Sequence, residues 1–390
     1  MAPTTQPEET MYPSLAFNQN LLGQAGSRRR LDTPVLVFDL DAFDYNVETM
    51  AALARERGIG LRPHAKTHKS IAIGQRQMEA GAVGLCCAKL GEAEALARGG
   101  LDQLLLTAPV LGEDKIRRLL ALNAVTTDLA VVVDDADNAR QLAEAAAAAD
   151  QILSILIVAD IGAHRFGVTS EAAAVEIGKL IAERPSLRFR GVQGYAGQVQ
   201  HIEDYAERRQ QSHEAITGLG RIRDALAEAG WRSEIVTGSG TGTHDFDHEL
   251  NIMTDLQVGS YIFCDVQYDQ VAMSPQDARR FRRSLFVHTR VVSANHDGFV
   301  TTDAGSKSFA MDGPPPDIIA GAPEGSTYGR FGDEFGRVNL PDGGTLPRGT
   351  LIVCQVPHCD PTVNLYDHYH CVRGDVLVDL WPVDARGRAG

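Results

Sequence analysis

The run Gly60-Leu-Arg-Pro-His-Ala-Lys-Thr-His-Lys69 closes a short apolar stretch with a lysine set among basic neighbours. A free lysine amine is almost fully protonated at neutral pH and cannot attack a carbonyl. A nucleophilic lysine therefore needs desolvation or nearby positive charge that destabilises its ammonium form. Arg62, His64, His68 and Lys69 stand where they would supply that field, which makes Lys66 a candidate Schiff-base nucleophile. The same run also reads as a solvated turn or an anion site at a strand end, so the surrounding chain has to decide.

Outward from it, from residue 34 onward, short β-branched or apolar runs alternate with helical stretches, the pattern of βα units and a parallel sheet. Strand candidates are 34–40, 60–66, 84–89, 104–109, 129–134, 152–161, 191–195, 235–238 and 257–263, with helix-like segments at 41–57, 92–98, 136–149, 172–184 and 202–229. Eight or nine strands over about 240 residues, with no dinucleotide fingerprint at the start, point to an α/β fold: a (β/α)8 TIM-type barrel rather than an open sheet. After about residue 270 the pattern changes to strands at 284–293, 298–303, 350–356, 364–372 and 376–380 joined by Gly/Pro-rich turns. The expected organisation is an N-terminal segment 1–33 packing on the β domain, a barrel at 34–272, and a mainly β C-terminal domain at 273–390. The stretch 312–343, with Pro314-Pro-Pro316 and many glycines, reads as loop or irregular hairpin and is expected to cover the site.

With 390 residues and 44% apolar content the chain is an ordinary globular one, and its net charge of −14 speaks against nucleic acid or an anionic membrane as partners. Small molecules are the default partners. Six scattered cysteines do not make a disulfide framework, which favours a reducing, cytoplasmic setting, with Cys86-Cys87 in the core. No basic segment leading into an apolar one opens the chain, and no apolar run of membrane-spanning length occurs, so neither an export signal nor a membrane span is expected.

Lys66, Asp160, Arg165, Tyr195, Gly238 and Tyr261 fall at or just beyond the C-terminal ends of different expected strands. In a barrel those ends converge on one face, where such folds place their sites. Gly238-Ser-Gly-Thr-Gly-Thr243 follows an apolar strand, and its glycines would let backbone N–H groups point at one anion while Ser239 and Thr241 add hydroxyls. The spacing is neither Walker-type nor dinucleotide-type, so a phosphate cradle or a plain Gly-rich turn remain the two readings. In Pro357-His-Cys-Asp-Pro-Thr-Val-Asn364, residues i and i+2 of a strand share a face, so His358 and Asp360 would meet one divalent ion (Mn, Mg, Co or Zn) with positions left for water or substrate. His368 and His370 have the same spacing.

The run Arg62-Pro-His-Ala-Lys-Thr-His-Lys69 resembles the cofactor-lysine motif of the D-threonine aldolase, D-3-hydroxyaspartate aldolase and D-serine dehydratase group, pyridoxal-phosphate enzymes of the alanine racemase fold type. The likeness extends from Thr33-Pro-Val-Leu-Val-Phe-Asp-Leu-Asp41 to Trp381-Pro-Val-Asp-Ala-Arg-Gly387. The resemblance implies that Lys66 holds the cofactor and that Lys69 faces the surface or an anion. It further implies that Gly238, Ser239, Gly240 and Thr241 take the phosphate with Tyr261 beside them, that Arg165 meets the phenolic oxygen, and that Tyr195 lies near the pyridine ring. His358-Cys-Asp-Pro-Thr362 is similar to the aldolases' metal motif, whereas the dehydratases carry cysteine at the second ligand position.

The activity implied is pyridoxal-phosphate- and metal-dependent cleavage of a D-3-hydroxy amino acid of the D-threonine type to glycine and an aldehyde. The alternatives are cleavage of D-3-hydroxyaspartate to glycine and glyoxylate, dehydration of D-serine or D-threonine, and a non-catalytic pyridoxal-phosphate carrier. His64 is the catalytic candidate beside Lys66, and His201 or a metal-bound water compete with it as the base. The resemblance also implies a homodimer, with the β domain of one chain approaching the other's barrel mouth.

Overall fold

The computed structural model describes residues 13–276 and 280–390, which divide into two compact units. The first is built from 46–262 together with 268–281 and 384–390. Its eight parallel strands are Gly60–Leu61, Leu85–Cys87, Gln103–Leu106, Asp128–Val133, Leu153–Ala159, Leu187–Gly194, Ile235–Gly238 and Asp255–Leu256. From Leu85–Cys87 to Ile235–Gly238 each strand pairs with its successor, Asp255–Leu256 returns to pair with Gly60–Leu61, and the single bridge His64–Cys86 joins the two ends of the sheet into a barrel.

Helices such as Ala136–Ala148, Glu171–Ala182 and Tyr205–Glu228 lie between the strands, each opened by a side-chain cap from Asp135, Ser170 or Asp204 that satisfies first-turn N–H groups. Alternate strand residues fill a core of Cys86, Leu105, Ala130, Val132, Leu156, Val158 and Ile235. At Gly191, with φ +148°, a Cβ would lie 1.8 Å from the Ile235 carbonyl oxygen, so only glycine lets these two neighbouring strands approach. The last residues of the chain are stitched into this unit: Ala385 N–H donates to Lys69 O at 2.9 Å, and Asp384 accepts the N–H of Ile71 at 2.7 Å.

The second unit comprises 13–45, 263–267 and 282–383 and holds a nine-stranded, mostly antiparallel sheet. Leu21, Leu31, Val35, Val37, Phe286, Val372 and Leu377 pack as one core, and Phe38 gathers the rings of Phe43, Phe263, Tyr369 and Trp381. Residues of the N-terminal segment bond to the edge of this sheet, Gly23 N–H to Leu377 O and Arg28 N–H to Asp375 O; residues 1–12 of that segment lie outside the described residues.

Four expectations change. Val35–Asp39, read as the first barrel strand, belongs to the β unit, antiparallel to Leu285–His296 and parallel to His368–Arg373; buried between two neighbours, it carries the same apolar run as a barrel strand. Residues 384–390 belong with the barrel rather than with the β domain. The strand expected at 257–263 is confined to Asp255–Leu256, and Tyr261 sits in the turn Ser260–Ile262. The stretch 312–343 contains the short strands Asp317–Ala320, Thr327–Arg330 and Gly336–Asn339. All six cysteines are buried thiols without disulfide bonds, and no helix among the described residues is long and apolar enough to cross a membrane.

Candidate active site

The chain leaves Gly60–Leu61 through His64 into a single turn, Ala65–Thr67, that carries Lys66. His64 is extended, and its Nδ1 accepts the Lys66 N–H at 3.4 Å. An accepting Nδ1 places the ring proton on Nε2, which lies 3.2 Å from Thr107 Oγ1; that hydroxyl in turn donates to Cys87 O. The imidazole thus braces the Lys66 turn against the neighbouring strand ends.

The positive field expected around Lys66 is compensated. Arg62 is buried against Asp255 at 3.2 Å, and Lys69 pairs with the buried Glu92, so Lys69 faces a carboxylate and not solvent. His68, fully buried, accepts the Ser70 N–H on its Nδ1.

Strand Ile235–Gly238 runs into the glycine loop, where Ser239 takes a left-handed φ of 69°. The glycines answer first to the protein itself: a Cβ on Gly238 would lie 2.0 Å from Gly194 O, on Gly240 2.4 Å from Gln200 Oε1, and on Gly242 2.1 Å from Gln200 O. Two of the amides expected to face an anion are engaged internally, Gly240 N–H with Thr243 Oγ1 and Gly242 N–H with Gln200 Oε1. The donors that suit an anion are therefore the hydroxyls: Thr241 Oγ1 accepts the Tyr261 N–H at 3.1 Å, which leaves its own proton to donate.

Tyr261 is fully buried with Gln77 donating to its oxygen at 3.1 Å, and burial pushes its phenol far above the usual range, so it stays neutral. Below the loop, Asp247 is pushed up to about 6 by burial, against the hydrogen bonds from Thr243, Ser212 and Ser239. Burial likewise lowers His244 to about 3, with the Arg280 charge adding to it. Asp245 is held down, in spite of burial, by Tyr205, Arg280 and Arg57, each within 2.6 Å.

Arg165 and Tyr195 line one small cavity with Asp160, Phe166 and Gln193, at the ends of Leu153–Ala159 and Leu187–Gly194. The Arg165 guanidinium lies 4.7 Å over the Phe166 ring. The loop is pinned by Asp160, which accepts the N–H groups of Gly162 and His164, and by Gly167, whose N–H donates to Asp134. The His201 ring lies 4.6 Å from that of Tyr268, tilted by 43°.

A continuous arc of contacts runs through the expected residues. A Cβ on Gly259 would meet Thr67 beside Lys66, Tyr261 bonds to Thr241, Gly238 abuts Gly194, and the Tyr195 ring crowds Gly197. Sequence reading missed Thr107, Gln200 and Asp247, which carry no motif and act by hydrogen-bonding the residues that do.

In the β unit, His358 and Asp360 do not lie on a strand. His358 caps the short helix Cys359–Val363, and Asp360 falls in its first turn. The cause is nonlocal: Asp265, buried, accepts the Cys359 N–H at 2.8 Å and satisfies the helix start. Asp312 accepts from His358 Nδ1 at 2.8 Å, which turns the lone pair of Nε2 outward, the arrangement a metal-binding imidazole needs. Among the described residues no cluster of three or more His, Cys, Asp or Glu is placed to hold an ion, so a metal here would have His358 and Asp360 as its side-chain ligands and water or substrate for the rest. His370, of the competing pair, is buried with Asn18 on its Nε2 at 2.9 Å and is lowered to about 4 by burial.

An eight-stranded barrel with its candidate lysine on the first strand end, followed by a β unit with a His-x-Asp motif, defines a class. Residues 38–266 match the family "Alanine racemase, N-terminal domain", and residues 284–372 match "Putative serine dehydratase domain". Within that class the chain is 37% identical to a 3-hydroxy-D-aspartate aldolase of Paracoccus denitrificans (strain Pd 1222), over 92% of this chain and 93% of that protein. It is 36% identical to a D-threonine aldolase of an Arthrobacter species over the same shares. The crystal structure of D-threonine aldolase from Filomicrobium marinum superimposes with a TM-score of 0.87 at 37% identity, covering 92% of this chain and 96% of the other. The chain belongs to the D-threonine aldolase and 3-hydroxy-D-aspartate aldolase family of carbon–carbon lyases, whose alanine racemase-like barrel implies pyridoxal phosphate as the cofactor.

Proposed function

We propose that the enzyme cleaves D-3-hydroxy amino acids of the D-threonine type to glycine and an aldehyde, using pyridoxal phosphate on Lys66 and a divalent ion at His358 and Asp360. The observation that carries this reading is the arc linking the Lys66 turn to the glycine loop and Tyr195, on a chain 36–37% identical to two kinds of aldolase over 92% of its length. Bound pyridoxal phosphate supplies the sink for the electron pair released when Cα–Cβ breaks, and a divalent ion would supply Lewis acidity toward the substrate's 3-hydroxyl.

The residues have distinct tasks. Thr241 offers a hydroxyl donor to a phosphate, and Ser239, whose hydroxyl bonds Asp247 in this structure, would add a second by turning from it, with Gly238 and Gly240 allowing the close packing that aims them and neutral Tyr261 behind them. Arg165 supplies a cation to a phenolate oxygen, and Tyr195, a neutral group, would leave the pyridine nitrogen without a carboxylate partner. His64 has both ring nitrogens engaged, one by the Lys66 N–H and one by Thr107, so we assign it to holding the lysine turn. That leaves His201, beside Tyr268, and a metal-bound water as the two candidates to take the hydroxyl proton.

D-3-Hydroxyaspartate is the second reading, favoured by the 37% identity to an aldolase of that substrate. We further propose a homodimer, as the barrel family implies, and a cytoplasmic setting, which the six cysteines without disulfide bonds favour. Holoenzyme incubated with D-threonine should release acetaldehyde and glycine one for one, and with D-3-hydroxyaspartate glyoxylate and glycine; ammonia with a keto acid instead would show a dehydratase. Chelator should abolish cleavage and spare the cofactor's absorbance.

A further inference from the structure

Helix Tyr205–Glu228 buries one arginine completely near its start, Arg208. Its hydrogen-bond acceptors are all backbone carbonyls: Nε donates to Gly242 O at 2.8 Å, one terminal nitrogen to Ile202 O and to Glu203 O at 3.2 Å, and the other to Ala272 O. Asp204 and Asp245 act on it only through longer-range attraction, and the rings of Tyr205 and Phe246 lie 5.6 and 6.0 Å from the guanidinium carbon. A buried cation without a contacting carboxylate is costly, and a side chain kept there answers to something other than bulk.

The three segments it holds are informative. Gly242 belongs to the glycine loop, Ile202 and Glu203 follow His201 directly, and Ala272 follows the segment whose Tyr268 ring packs tilted against His201. Gln200 repeats the connection from the other side, its Oε1 accepting the Gly242 N–H and its Nε2 lying 3.3 Å from Thr243 Oγ1. A planar guanidinium has five donors in a fixed fork, so it can register three chain segments at once where a lysine cannot.

We propose that Arg208 is the positioning residue that locks the glycine loop and the His201-bearing turn in one register, so that cofactor-phosphate binding and the placement of His201 depend on the same side chain. This rests on the reading that the glycine loop takes the phosphate. Arg208 touches neither substrate nor cofactor in this role; it acts through the loop backbone.

The test compares the affinity of apoenzyme for pyridoxal phosphate with that for pyridoxal, which lacks the phosphate, in wild type, Arg208→Met and Arg208→Lys. Arg208→Met should lose about tenfold or more for pyridoxal phosphate, the equivalent of one or two hydrogen bonds, and stay within about twofold for pyridoxal. At saturating pyridoxal phosphate its kcat on D-threonine should fall while KM holds. Equal weakening of both ligands would mean general loosening and overturn the proposal, as would wild-type kcat at saturation. If Arg208→Met does not fold, Arg208→Lys decides: a lysine keeps the charge but cannot span three segments, so a wild-type affinity ratio there overturns the proposal as well. Ser239→Ala and Thr241→Val separate this from the reading beneath it, because if they leave the ratio unchanged the loop does not hold the phosphate and both fall.

Discussion

The Lys66 turn and the His358 helix are both short, both preceded by an extended histidine, and built in opposite ways. The lysine turn sits on a barrel strand end among buried partners: His64 accepts the Lys66 N–H, Thr107 braces His64, and Glu92 holds Lys69. The His358 helix is held by residues distant in sequence, Asp265 at its first N–H and Asp312 at the imidazole, and its side chain is a quarter exposed. A covalent cofactor needs one nucleophile in a fixed place; an exchangeable ion needs an accessible pair of donors whose orientation is set from behind. The contrast can be broken or sharpened by substitution on each side.

Lys66→Ala should have the largest effect, lowering turnover by more than about 10³-fold while leaving the fold intact, because no other group in the turn can replace the covalent attachment. Borohydride reduction of wild-type holoenzyme followed by peptide mapping should place the label on Lys66; a label on Lys69 would reverse the assignment, although its pairing with Glu92 argues against it. Asp360→Ala comes next. It removes one of the two side-chain ligands we propose, so metal affinity and aldolase activity should both drop by more than about 100-fold with the cofactor's absorbance unchanged. Retained metal-dependent cleavage would sink the metal assignment.

Asp312→Ala should cost about 10–100-fold in metal affinity, since the carboxylate only orients His358, and Asp312→Asn should recover part of it. Isothermal titration with Mn²⁺ on the two variants reads this directly, and an Asp312→Ala protein that binds the ion like wild type would remove Asp312 from the site.

The smallest effect is on stability and lies on the barrel side. Asp247 is raised by burial to about 6 from an unfolded value near 3.9, so the folded state is favoured while the group is protonated and loses that advantage as pH rises through about 6. Asp247→Asn cannot ionise. Its Tm relative to wild type should therefore climb between about pH 4 and about pH 7, by the equivalent of about 2 kcal/mol, and a flat difference would show that burial leaves the carboxyl unshifted.

The sequence showed the barrel's alternation and the motif residues, because both are local. Which sheet a strand joins is not local: Val35–Asp39 has the apolar run of a parallel strand and lies between an antiparallel and a parallel partner in the β unit. Nor was the helix at Cys359 visible, since the carboxylate that caps it is Asp265. Around the proposed site, Lys66, Tyr195, Arg165 and the glycine loop carry local motifs, whereas Arg208, in a helix rich in exposed charges, looks like any solvated residue until its carbonyl partners are seen. The expected cationic surroundings of Lys66 failed for the same reason, because Asp255 and Glu92 that neutralise them lie far along the chain.

Because each unit is assembled from separated stretches, the order in which a ribosome makes the chain is not the order in which it can finish folding. Residues 13–45 emerge early but belong with strands at 282–383, and the barrel body 46–262 waits for 384–390 before Lys69 and Ile71 find their partners. At roughly 5–20 residues per second that wait is on the order of ten seconds. Until then the Lys69 carbonyl and the Ile71 N–H, just past the lysine turn, lack the partners they have in the finished unit, so the edge of the proposed cofactor site is closed by a stretch made more than three hundred residues after it begins.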